Sequence, residues 1–229
     1  MKADALNILV IGAGRMGVAV SQAAASRGHV VHGPWGRQDL EVAVWPAVDV
    51  AIEFTAPGSA LAVMDACRKA GVPLVSGTTG WDDHRSAVEA AAVAAGHPML
   101  WAPNFSVGIY LFRKALRQVQ DTLDGHGFTP SIHEVHHTGK RDAPSGTALA
   151  LQSDLLDAGA TTVAVSAGRL AGVPGTHSVH WAGAVDRISL EHAAKDRSGF
   201  ALGAVQAAEW LVRHGMAADK MFGMEDVWG

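Results

Sequence analysis

Asn7-Ile8-Leu9-Val10-Ile11-Gly12-Ala13-Gly14-Arg15-Met16-Gly17 is the stretch on which the fold turns. Five residues, four of them aliphatic, run into a glycine, which suits a strand buried in a parallel sheet. Arg15 to Arg27 then reads as a helix, with Gly28 as its C-terminal stop. Between strand and helix, Gly12, Gly14 and Gly17 make a G-x-G-x-x-G pattern. Glycines there permit a tight turn and let the backbone reach a pyrophosphate, which the helix N-terminus then stabilises. In a chain with 26 glycines the pattern alone says little, and its strand-turn-helix setting gives it meaning. Gly12, Ala13, Gly14, Arg15, Met16 and Gly17 are therefore the expected phosphate-binding turn of a dinucleotide site.

Working outward, His29 to Gly33 reads as a second strand, Val48 to Phe54 as a third and Ser59 to Ala70 as a helix ended by Gly71. Pro73 to Ser76 is a fourth strand, Asp82 to Ala95 a helix, and Met99 to Trp101 a fifth strand. Alternation at these intervals predicts an open, Rossmann-type parallel sheet covered on both faces. The texture changes after Asn104. A helix over Val107–Thr122, an extended run over Pro130–His137 and a helix over Thr147–Asp157 precede three strand-like runs, Thr162–Ser166, Ser178–Trp181 and Arg187–His192. Successive strands without intervening helices predict a mostly antiparallel or mixed sheet in a second α/β domain. The amphipathic helix Phe200–His214 is expected to return to the first domain. The division expected is thus 1–106, completed by 198–229, for the dinucleotide, and 107–197 for substrate and oligomerisation.

Composition narrows the class. With 48% hydrophobic and 17% charged residues the 229-residue chain is an ordinary globular one. A formal charge of -4 argues against a nucleic-acid or anionic-membrane binder, which needs a basic surface. The single cysteine, Cys67, cannot pair within the chain, and its helical context predicts a buried structural thiol. The apolar run at the N-terminus is too short for a signal peptide, and no run reaches the roughly 18 residues of a membrane span. The expected location is the cytoplasm, and neither nucleic acid nor membrane is an expected partner.

Dinucleotide folds usually end the second strand on an acidic residue that holds the ribose hydroxyls of NAD. Here His32-Gly33-Pro34-Trp35-Gly36-Arg37 stands instead, with no carboxylate before Asp39. Arg37 is either a partner for the extra phosphate of NADP or a solvated loop charge. NADPH is favoured slightly, with NADH also accepted.

The densest chemistry lies in Glu134-Val135-His136-His137-Thr138-Gly139-Lys140-Arg141-Asp142-Ala143-Pro144-Ser145-Gly146-Thr147-Ala148. On a strand, His136 and His137 point to opposite faces and take different jobs rather than chelating one ion. No third and fourth ligand stand at a familiar spacing, so no metal is expected. Ser145-Gly146-Thr147 opens a helix, whose free N–H groups and hydroxyls make a carboxylate site. With Lys140 and His137 nearby, it suits a substrate carrying more than one carboxylate. His136 remains as the general acid, the usual role of a group titrating near neutrality.

This run resembles the E-x-H-H-x-x-K-x-D-A-P-S-G-T-A signature of the 4-hydroxy-tetrahydrodipicolinate (dihydrodipicolinate) reductases. So, in the family's order, do Gly14-Arg15-Met16-Gly17, Ile52-Glu53-Phe54-Thr55-Ala56-Pro57, Gly77-Thr78-Thr79-Gly80 and Ala102-Pro103-Asn104-Phe105-Ser106-Val107-Gly108. Glu191-His192-Ala193, Asp196-Arg197, Phe200-Ala201-Leu202-Gly203-Ala204 and the closing Met221-Phe222-Gly223-Met224-Glu225-Asp226-Val227 extend the likeness over nearly the whole chain. The resemblance implies a dinucleotide-binding domain followed by a substrate domain that builds a homotetramer. It implies that Phe54, Gly77, Thr78, Thr79, Ala102, Pro103, Asn104 and Phe105 contact nicotinamide, and Arg197 joins the expected cofactor set. It further implies His136 as proton donor, Lys140 as its partner, and His137, Ser145, Gly146 and Thr147 as substrate contacts.

The reaction implied takes 4-hydroxy-tetrahydrodipicolinate and NAD(P)H to tetrahydrodipicolinate, NAD(P)+ and water, in lysine and diaminopimelate biosynthesis. Three departures stand out. The glycine turn is one residue shorter than the family's usual one, Glu53 replaces the usual aspartate, and the segment between Thr162 and Ser178 is short, so any lid there is small. Two other readings compete. Another two-domain reductase, such as a homoserine or amino-acid dehydrogenase, lacks the H-H-x-x-K…S-G-T run. A nucleotide-binding regulator without catalysis has no need of an intact His136 and Lys140.

Overall fold

The computed structural model describes residues 4–41, 44–140, 142–215 and 218–229; the Arg37 side chain lies outside the described set. The chain divides into two compact units, Met1–Ser106 with Ser198–Gly229, and Val107–Arg197.

In the first unit, β1 (Asn7–Ile11), β2 (Val30–Trp35), β3 (Val50–Glu53), β4 (Leu74–Ser76) and β5 (Met99–Trp101) form one sheet in the order β2-β1-β3-β4-β5. Every neighbouring pair is parallel. Residues of β3, β4 and β5 are buried throughout, as expected of strands covered on both faces. Leu9, Ile11, Leu74 and Met99 lose nearly all their exposure, and each such side chain contributes about 1.5–3 kcal/mol. The helices α1 (Arg15–Ser26), α2 (Pro57–Ala70) and α3 (Arg85–Ala94) connect the strands. Strand order reverses between β1 and β3, and the crevice at the C-terminal ends of such strands is where ligands of this architecture bind. Cys67 is fully buried, and burial pushes its thiol up to about 12, as suits a structural residue.

Several boundaries differ from the sequence reading, two of them in ways that matter for the first unit. β2 runs on to Trp35, whose carbonyl accepts from Gly12 N at 2.8 Å and so ties the strand end to the glycine turn. The helix expected from Asp82 begins as a 3-10 turn over Asp82–His84 before α3 takes over. After the second unit the chain returns as α6 (Ser198–His214), whose buried face is mostly small, Ala201, Gly203, Ala204, Ala207 and Ala208. Glu209 on α6 accepts from Arg27 Nε and Nη2 at 2.7 and 2.8 Å and lies 2.8 Å from His29 Nε2. Phe222 pairs with β5 through Trp101 N and Met99 O, and a short helix α7 (Met224–Trp228), absent from the sequence reading, follows.

The second unit holds α4 (Val107–Leu123), β6 (Thr129–His136), α5 (Gly146–Asp157), β7 (Ala164–Arg169), β8 (Gly175–Ala182) and β9 (Arg187–Ala194). Its sheet runs β7-β6-β8-β9 and is mixed: β7 is parallel to β6, while β8 and β9 are antiparallel to their neighbours. Period-two alternation puts Ile132, Val179 and Trp181 on one face, where they pack with Phe112 and Leu116 of α4 and Leu151 and Leu155 of α5. Asp154 on α5 is clasped by Arg113 and Arg117 of α4. Glu134, His136 and His177 continue that same sheet face beyond the apolar core. No helix among the described residues is long and apolar enough to cross a membrane.

Candidate active site

β6 delivers Glu134 and His136 to one face two residues apart, and antiparallel pairing sets His177 of β8 opposite Glu134. The loop after β6 then returns Ser145, the N-cap of α5, to the Glu134 carboxylate. Ser145 N donates to Oε1 at 2.9 Å and Ser145 Oγ donates to Oε2. The same hydroxyl accepts from Ala148 N at 3.1 Å, capping the helix. Glu134 is completely buried. His136 Nδ1 and His177 Nε2 stand 3.5 and 3.6 Å from Oε2, and Arg169 Nη1 stands 3.8 Å from Oε1. The imidazoles meet edge to face with centroids 5.1 Å apart. One buried carboxylate thus organises a hydroxyl, two imidazoles and a guanidinium.

Electrostatics follow from that burial. Desolvation holds His136 below the ordinary histidine value, and Lys140 and Arg169 push the same way against the pull of Glu134. His177 is pushed down to about 4, first by burial and next by His136. Lys140 Nζ bonds Asp142 Oδ2 at 2.9 Å. The Lys140 bond is the main cause that holds the Asp142 carboxyl below its usual range, and the Gly146 backbone N–H at the α5 start adds to it. The lysine expected to take a substrate carboxylate therefore already holds one belonging to the chain. Arg169 braces this loop through the Lys140 and Asp142 carbonyls, and Leu170 N bonds the His136 carbonyl at 2.8 Å. The connection 170–174 from β7 to β8 crosses the end of β6 and is short.

Of the residues singled out in the sequence, His136, Lys140 and Ser145 belong to this cluster. His137 lies just past the strand, half-buried, and Gly146 and Thr147 open α5. Glu134, Asp142, Arg169 and His177 have roles that the sequence reading did not assign. Glu134 could have been found from its two-residue offset to His136. His177 lay outside the strand read as Ser178–Trp181, although β8 begins at Gly175.

In the first unit the glycine turn fits a pyrophosphate. A Cβ on Gly17 would stand 1.7 Å from Gly12 O, so the turn closes only on glycine, whereas a Cβ on Gly14 would meet nothing. Gly14 caps α1 without a side-chain bond, and Ala13, Gly14 and Arg15 are exposed, which leaves the helix start open to an anion. Met16 is half-buried behind them. The three loops expected at nicotinamide also converge. Phe54 lies edge to face with Phe105 at 5.8 Å, and its ring fills the space that a Gly77 Cβ would need. Thr78 Oγ1 accepts from Thr55 N at 2.8 Å, and Ala102 N donates to Ser76 O at 3.3 Å. Glu53 is the buried anchor of this junction: it accepts from Thr55 N and Ser76 Oγ at 2.7 Å each, and from Thr78 Oγ1 at 2.5 Å. Thr79 and Pro103 are exposed beside it, and Asn104 accepts from Ser106 N. Arg197, exposed, immediately precedes α6. Arg37, the residue read as a partner for an extra phosphate, has its side chain outside the described residues.

A doubly wound sheet with a glycine turn, joined to a mixed sheet bearing a buried His–Glu cluster, defines a nicotinamide-dependent reductase of two units. The family profiles for the dihydrodipicolinate reductase N-terminus and C-terminus match residues 6–105 and 108–228. A 4-hydroxy-tetrahydrodipicolinate reductase of Christiangramia forsetii is 34% identical over 223 residues, covering 90% of this chain and 92% of that one. That of Xanthomonas campestris pv. campestris strain B100 is 37% identical over 229 residues, covering 93% and 94%. Among solved structures, a dipicolinate-bound dihydrodipicolinate reductase from Paenisporosarcina sp. TG-14 has the same fold, with a TM-score of 0.76 at 20% identity over 97% of this chain and 99% of that one. The chain belongs to the dihydrodipicolinate reductase family, NAD(P)H-dependent oxidoreductases of lysine and diaminopimelate biosynthesis.

Proposed function

We propose that the chain reduces 4-hydroxy-tetrahydrodipicolinate to tetrahydrodipicolinate and water with His136 as proton donor and Lys140 as the cation that stabilises developing negative charge. The observation that carries this reading is the Asp142 carboxylate held by Lys140 near the start of α5, beside a buried imidazole. A dicarboxylate ring displaces Asp142 and takes Lys140 and the α5 start, with His137, Ser145 and Thr147 completing the pocket. Loss of the 4-hydroxyl with a proton from C5, as water, leaves a conjugated imine, and NAD(P)H when bound would supply hydride for its C4. His136 delivers the proton, and Glu134 keeps its ring oriented. Gly175 leaves room beside His136 Nε2, since a Cβ there would sit 3.0 Å from it. Lys140 stabilises the developing charge, and closure of the site over bound substrate would strengthen that stabilisation.

The cofactor lies on Gly12 to Gly17, with Phe54, Gly77 to Thr79, Ala102 to Phe105 and Arg197 toward its nicotinamide half. Both nucleotides are used, with a modest preference for NADPH, because β2 ends without a carboxylate and Arg37 follows it. A cytoplasmic homotetramer is the assembly this reading favours. The test is oxidation of NADPH and NADH with substrate made in situ by the preceding synthase. Oxidation that needs both synthase product and this chain supports the reading; none with either nucleotide refutes it.

A further inference from the structure

We propose that Glu134, His136 and His177 form a binding site for a zinc-type divalent cation, and that such an ion inhibits the enzyme by occupying its proton donor. All three side chains are buried, and one ligand atom from each lies within 4.8 Å of the other two. Two of those separations are 3.5 Å, from His136 Nδ1 to Glu134 Oε2, and 3.6 Å, from His177 Nε2 to the same oxygen. A tetrahedral ion with bonds of about 2.0–2.1 Å spaces its ligand atoms about 3.3–3.4 Å apart. The two edges through the carboxylate therefore need to close by only a few tenths of an ångström. The imidazole–imidazole edge is no longer than 4.8 Å, and closing it requires the rings to turn toward each other.

A second observation points to a ligand. His136 Nδ1 is buried without a hydrogen-bond partner, although it faces the carboxylate. An orphaned polar atom in that position costs free energy that a coordinated ion would remove. The donor set also selects the ion. Two imidazoles and one carboxylate with a fourth position open match the His₂Glu set of zinc sites, whereas calcium and magnesium take oxygen ligands. Ser145 already orients the carboxylate through both of its oxygens, as outer-shell partners of metal ligands do.

Two groups oppose the ion. Ser145 Oγ donates to Oε2 and stands 3.3 Å from His177 Nε2, so the hydroxyl has to turn away for both atoms to take metal. The Arg169 guanidinium stands 3.8 Å from Oε1, on the oxygen that would not bind metal, and its charge weakens the site. The site is therefore one that fills and empties with metal supply. The sequence offered no third ligand near the H-H pair because His177 arrives through sheet pairing, 41 residues downstream of His136. His137 takes no part, in keeping with its place on the opposite face from His136.

Binding stands on geometry alone, while inhibition rests on the proton-donor reading of His136. The untagged, metal-free chain is titrated with Co²⁺ and followed by visible absorption, then challenged with Zn²⁺. The expected result is one tightly bound Co²⁺ per chain with four-coordinate bands, displacement by Zn²⁺, and loss of activity with Zn²⁺ that EDTA reverses. His177→Gln and His136→Gln, each checked for fold by circular dichroism, should weaken Co²⁺ binding by about tenfold or more. No bands in the wild type, or bands unchanged in whichever variant folds, would overturn the site. Bands that vanish in the variants while Zn²⁺ leaves activity intact would keep the site and overturn the inhibition, and with it the role of His136.

Discussion

Ser145 donates both its backbone N–H and its hydroxyl to the carboxylate of Glu134, so the start of α5 is fastened to the face of β6 that carries His136. The fastening fixes Glu134, and Glu134 in turn sets the charge felt by His136. Glu134→Gln keeps the shape and removes the charge. Glu134 lies 3.5 Å from His136 Nδ1 without a hydrogen bond, so kcat should fall by about 10-fold, as for loss of about 1.4 kcal/mol. Because Glu134 raises the His136 value against burial, the substitution should also move the pH limb assigned to His136 to lower pH. A lower kcat with an unmoved limb would leave Glu134 a merely structural residue.

If substrate binds as proposed, Asp142 competes with it for Lys140. Replacing Asp142 by asparagine should tighten binding of 2,6-pyridinedicarboxylate, a flat dicarboxylate, measured as a competitive inhibition constant without added metal. Asp142 is 56% exposed and Lys140 24%, so the gain is modest, about 2- to 5-fold. Weaker inhibition by Asp142→Asn, or inhibition that ignores substrate concentration, would count against the carboxylate pocket.

The pH profile has a definite sign. A proton donor works in its protonated form, so kcat/KM falls as pH rises through the His136 value of the free enzyme. Burial holds that value below the ordinary one, and the fall should begin on the acid side of neutrality. Two substrate carboxylates bound nearby stabilise the imidazolium, so the fall in kcat should come at higher pH than the fall in kcat/KM. Coincident profiles, or activity rising through this range, would contradict the assignment.

Cofactor choice is tested at Arg37. A shielded guanidinium–phosphate bond is worth about 1.5–3 kcal/mol, and a solvated one under about 1 kcal/mol. The expectation is a modest NADPH preference in kcat/KM that shrinks with added salt and disappears in Arg37→Ala. A strong NADH preference untouched by the substitution would assign the ribose to another group.

Much of this was legible in the sequence, for physical reasons. Short apolar runs marked β1 and β3 to β5, because parallel strands buried on both faces leave little room for polar residues. β7 and β8 were clipped because Ala167, Gly168 and Gly175 have weak strand preference; pairing with β6 supplies what local propensity lacks. Clipping them hid Arg169 and His177, and hence the cluster around Glu134. Asp142 was visible as a letter in a motif, but its occupation of the expected carboxylate site depends on how the loop folds back. The five-residue α7 is too short to show a period, and Asp226 secures its start by accepting from Gly223 N at 2.9 Å.

The most direct test of the whole account is the kcat and KM of His136→Gln with synthase-generated substrate and NADPH. Loss of a general acid costs about 10²–10⁴-fold, so kcat should fall by that much while KM changes little and the variant still binds nucleotide. A kcat equal to that of the wild type would remove His136 from the reaction and contradict the account.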